Sequence, residues 1–122
     1  MRKMLVATLI LALIVSAWWF EEKTVGSICD RMIENIEKLQ TKEADELDEA
    51  INEVEADWED LEWILEVLTP HENTDEINLD WAGYISRIND KNYTSANHIL
   101  DRIEQRFEEI RDKTKVNLQN IF

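Results

Sequence analysis

KEADELDEAINEVEADWEDLEWILEVL, residues 42–68, decides the fold. Ala44, Leu47, Ile51, Val54, Trp58, Leu61, Leu65 and Leu68 follow one another at steps of three and four without a miss. That is the spacing of one helix face and of a heptad seam of the coiled-coil kind; a strand would need alternation at every second residue. Proline lacks the amide proton and forces its predecessor out of helical geometry, so Thr69 and Pro70 end the helix. The expected span is Lys42 to Leu68, with Thr41 as N-cap and Glu43 in the first turn, where a negative charge suits the helix dipole. Toward its end Trp63, Ile64 and Val67 add apolar surface beyond the seam. This end is therefore expected to be covered on most sides, either inside the chain's own core or by a partner.

The same period continues on both sides. Ile28, Met32, Ile36 and Leu39 form the face of a preceding helix, in which Gly26 is the expected bend. Beyond Pro70 a third helix is expected from Thr74 or Asp75, with Ile77, Trp81, Tyr84, Ile85 and Ile88 facing inward. The polar stretch Asn89 to Asn92 reads as a short turn. A fourth helix, capped by Asn92 or Thr94, buries Ala96, Ile99, Leu100, Ile103, Phe107 and Ile110. The terminal NLQNIF, residues 117–122, is expected to fold back onto the domain. Two glycines and one proline in 122 residues leave little for tight β-turns,. The fold class is all-α: a helical bundle of about four antiparallel helices, with two stacked hairpins as the alternative packing.

Ahead of the bundle stands MLVATLILALIVSAWWF, residues 4–20, without a charge. Seventeen helical residues span about 26 Å, close to the roughly 30 Å hydrocarbon core of a bilayer. Arg2 and Lys3 precede the run and Glu21 and Glu22 follow it. The positive-inside rule then gives a single-pass cell-membrane protein with a cytoplasmic N-terminus and an extracellular domain, and Trp18, Trp19 and Phe20 form an interfacial belt. Val15, Ser16 and Ala17 also offer a signal-peptidase site, but two tryptophans directly after it favour a retained anchor. The division is residues 1–22, a membrane anchor, and residues 23–122, an extracytoplasmic helical domain. All 27 acidic residues follow Phe20, against 11 basic ones there, a formal charge of −16. Such a surface repels phosphate, which excludes nucleic acid as a partner. The partners expected are the lipid bilayer, through the N-terminal helix, and a protein or a second copy of the chain.

Chemistry is sparse. A single cysteine, Cys29, excludes an internal disulfide,. It is read as a small buried residue, with a disulfide between two chains as the alternative. His71, Glu72 and Asp75 are the only weak candidates for a metal site, with His98 on the fourth helix as a remote fourth member. A metal site needs three or four converging ligands, so these residues are read as the cap of the third helix. Trp58, Trp63, Trp81 and Tyr84 stand at core spacing, although aromatics can line a pocket. No phosphate loop, G-x-S-x-G, H-E-x-x-H or EF-hand loop occurs. No catalytic residue and no cofactor is expected.

Two tryptophans on one long helix, a break followed by His71 and Glu72, a polar turn before Tyr93, and the chain end Asn120, Ile121 and Phe122 form a pattern. It resembles the bacterial family called domain of unknown function 4363, small proteins with an N-terminal membrane helix, found mainly in Gram-positive bacteria. The resemblance implies architecture and location, and assigns no activity. The function expected is a non-enzymatic protein-interaction module using Trp63, Ile64 and Val67. The alternative is an envelope domain that binds or senses a cation or small ligand.

Overall fold

The computed structural model describes the backbone of residues 2–121 and the side chains of residues 2–115. It contains four α-helices: α1 (Arg2–Thr41), α2 (Ala44–Leu68), α3 (His71–Asn89) and α4 (Tyr93–Ile121). No strand occurs among the described residues. Each helix packs against the next and α4 closes against α1, which makes an antiparallel four-helix bundle in place of two stacked hairpins,. The diagonal pair α2 and α4 meets through side chains, with the Trp58 and Phe107 rings edge to face at 5.5 Å,.

α1 is unbroken through Gly26, against the expected bend. A glycine inside a helix costs order without breaking it when its neighbours hold the backbone on both sides. A Cβ added at Gly26 would meet nothing within 4 Å. Gly26→Ala should therefore stabilise the bundle by about 1 kcal/mol. Thermal unfolding should shift upward; a lower melting temperature would contradict an open Gly26.

At about 1.5 Å per residue α1 is roughly 60 Å long, and only its second half belongs to the bundle. Residues 2–17 are exposed, Trp18 is half-buried, and Val25 is the first fully buried side chain. The apolar segment thus leaves the bundle as a continuation of one of its own helices, long and apolar enough to cross a membrane, with none of that stretch buried in the protein.

Three helix boundaries differ from the sequence expectation. α1 runs to Thr41, whose hydroxyl donates back to the Lys38 carbonyl, so Thr41 ends one helix instead of capping the next. α2 accordingly starts at Ala44, after Glu43, and Ala44 is exposed although it continues the seam. α3 begins at His71, not at Thr74 or Asp75: Pro70 is its N-cap residue and accepts from the Asn73 amide. A proline's fixed φ and missing N–H cost least at a helix start, so the residue that ends α2 also opens α3. The Asn89 to Asn92 turn closes with the Asn92 amide donating to the Arg87 carbonyl, and Lys91 is left-handed at φ 58°,. Asn92 caps α4 by accepting from the Ser95 amide,. The expected folding back of NLQNIF concerns side chains outside the described residues.

Leu47, Ile51, Val54, Trp58 and Leu65 of the seam are buried, with Leu61 and Leu68 packed partly against them. Polar ties then set the register. Arg31 pairs with Asp57 at 2.8 Å, and Asn35 donates to the same carboxylate. The Asn35 hydrogen bond, with Arg31 beside it, holds Asp57 below the usual carboxylate range,. Trp58 donates to Asn78, Asn78 to Glu62, and Trp81 to Glu55, which joins α2 to α3. Gln40 donates to Asp101, and Arg111 pairs with Asp30, joining α1 to α4 at two heights. Between those heights Glu104 is pushed upward, first by burial and then by Glu37 across the interface.

Candidate functional site

Helical phase decides which apolar residues of α2 reach the core. Trp58 and Leu65 are seven residues apart and share one face; Trp63 and Val67 lie on the other side of the helix. Trp63 is 62% exposed and Val67 73% exposed, whereas Ile64, turned partway inward, packs against the core. The expectation that the chain's own core covers this end fails for Trp63 and Val67. They sit one turn apart, at i and i+4, and make one apolar strip on an otherwise acidic helix face. The antiparallel register set by Arg31 and Asp57 places Trp63 about level with Val25 and Val67 about level with Glu21. The strip therefore lies within two turns of Phe20, where the apolar segment ends.

At the same end α1, the α2–α3 connection and α4 enclose an open groove of about 390 Å³. Trp18, Leu68, Pro70 and Ile110 supply apolar surface, and Glu21, Glu72 and Lys113 supply charge. Trp19 and Phe20 point away from the bundle, with the Lys23 ammonium 4.8 Å from the Trp19 ring centroid,.

His71, Glu72 and Asp75 fall in the first two turns of α3, all exposed. His98 is one turn from Asp101, which meets Gln40 at the opposite end of α1, so His98 does not approach His71. Among the described residues no group of three or more His, Cys, Asp or Glu is placed to hold a metal ion. Cys29 is fully buried, and burial pushes its thiol up to about 12, away from the thiolate form that disulfide exchange requires,. Trp58, Trp81 and Tyr84 pack in or against the core and line no ligand-sized cavity with Trp63.

One polar site escaped the sequence reading. Asp80 is only 6% exposed and faces α4, where Arg102 reaches it at 2.9 Å and Arg106 binds both it and Glu76. The Asp80 hydrogen bond raises the Arg106 pKa further. The available signal was the placement of Arg102 and Arg106 one turn apart beside Phe107. Two arginines flanking a core position call for an acceptor on the helix opposite.

The fold and this end of it define a class: a four-helix bundle carried on a single apolar N-terminal helix. The family model described as Domain of unknown function (DUF4363) matches residues 19–121, and the chain belongs to that family. The match covers the bundle and begins just after Trp18. No match was found among curated proteins or among solved structures.

Proposed function

We propose that this protein is a non-enzymatic interaction module, tethered by α1 in the cell membrane with its N-terminus cytoplasmic and its acidic bundle outside. It docks a second protein, or a second copy of itself, through Trp63, Ile64 and Val67. The observation that carries the reading is the Trp63 and Val67 strip. Two large apolar side chains stay in water on a helix whose other outward residues, Glu53, Asp60 and Ala56 among them, are polar or small,. Exposed tryptophan is the residue type most enriched among interface anchors. Tethering holds the strip at a fixed height above the bilayer, which raises its effective concentration for membrane neighbours.

Trp63→Ala tests this. An exposed side chain contributes little to folding, so the melting temperature should move by the equivalent of about 0.5 kcal/mol or less. Losing an interface anchor should weaken the complex by about 2 kcal/mol, some thirtyfold. The measurement is size and partner content of the full-length protein extracted from membranes. Unchanged assembly in Trp63→Ala would show that the strip is not the docking surface. The alternative, a cation sensor, has no comparable observation in its favour: among the described residues no group of three or more His, Cys, Asp or Glu is placed to hold a metal ion.

A further inference from the structure

We propose that the groove at the membrane-proximal end of the bundle holds the headgroup of one zwitterionic phospholipid, of the phosphatidylethanolamine kind, drawn from the leaflet around α1. The inference rests on α1 spanning the bilayer and is independent of the Trp63 strip.

The groove lies at the level of the membrane interface. Residues 2–17 are exposed, and Trp18, at the end of the apolar run, is the first side chain of the run to be half-buried by the bundle. The groove thus opens where the hydrocarbon region gives way to the headgroup layer, which adds roughly 5–8 Å on each side of the bilayer core. A lipid beside α1 can enter without leaving the membrane.

The walls of the groove also fit a zwitterionic headgroup. The groove's volume of about 390 Å³ falls within the range of roughly 300–1,000 Å³ usual for ligand sites. Trp18, Leu68 and Ile110 suit the glycerol and upper acyl carbons, whereas the charged residues around them have both signs. The Lys113 ammonium matches a phosphate,. Glu21 and Glu72 match an ammonium that donates hydrogen bonds,. An anionic lipid would satisfy Lys113 but leave both carboxylates facing a net negative ligand in a strongly acidic domain. A choline headgroup has no N–H to donate and should bind more weakly than ethanolamine.

The test uses the full chain, purified in detergent and exchanged into equal amounts of phosphatidylethanolamine, phosphatidylcholine and phosphatidylglycerol, with retained lipid read by native mass spectrometry. One phosphatidylethanolamine per chain is expected, in preference to the other two. Lys113 is exposed, so Lys113→Glu should shift the melting temperature by no more than roughly 4 °C while cutting retention at least about tenfold. Retention of no lipid, of phosphatidylglycerol equally well, or of phosphatidylethanolamine undiminished in Lys113→Glu would each overturn the assignment. Alkaline extraction of native membranes separates the two readings. A chain that stays in the membrane yet retains no lipid sinks the groove alone, and a chain that washes out sinks the anchor and the groove together.

Discussion

Replacing Phe107 by alanine should remove about 4 kcal/mol of stability. The ring is fully buried and meets Trp58 edge to face, the contact by which α4 reaches across the bundle to α2. Deletion leaves a cavity bounded by helices that cannot all close on it, because each is also held by its own interhelical pairs. A domain of this size has roughly 5–15 kcal/mol in hand, so the loss is a large share. At about 4–8 °C per kcal/mol the melting temperature should fall by some 15–30 °C. Leu79→Ala is the control: Leu79 is 74% exposed and its removal should cost about 0.5 kcal/mol or less. Thermal unfolding of the two variants, followed by circular dichroism, checks both. Similar losses in both would mean that the helices pack by other faces.

Asp80→Ala should cost about 3 kcal/mol, the low end for removing one member of a buried charge pair. Asp80 is the acceptor on which Arg102 and Arg106 converge. Without it Arg106, itself largely covered, is left with the more exposed Glu76 as its ion-pair partner. The value lies at the low end because Arg102 can turn to water. Glu76 is more than half exposed, so Glu76→Ala should cost under about 1 kcal/mol. Denaturant midpoints at constant slope measure the difference. If Glu76→Ala cost as much as Asp80→Ala, the burial of Asp80 would not be what gives the pair its weight.

Asp80 also shows where sequence reading ends. Between Leu79 and Trp81, hydrophobicity alone puts the leucine inside and the aspartate outside, and the bundle does the reverse. Position on the helix wins: Asp80 shares the Ile77 and Tyr84 side, and the cost of burying its charge is offset by arginines on another helix, which no local window contains. Trp58 and Trp63 make the same point. Both are tryptophans on one amphipathic helix, but five residues amount to about 140° of rotation, so one is core and the other surface. The seam from Leu47 to Leu68, the inward residues of α4 and the charge-free run to Phe20 were all legible, because each is a periodic or compositional feature of one segment. The groove was not, since its walls come from three separated stretches. Pro70 ends α2 as expected, but the start of α3 was placed too late, because proline opens helices as readily as it ends them,.

The most direct test of the account is site-specific photo-crosslinking in cells, with a photoreactive residue placed in turn at Trp63, at Val67 and at the outward control Glu53. Discrete crosslinked species are expected from the first two positions, of one defined mass and depending on the membrane anchor, and none from Glu53. The absence of a discrete product at Trp63 and Val67, or the same products from all three positions, would contradict it.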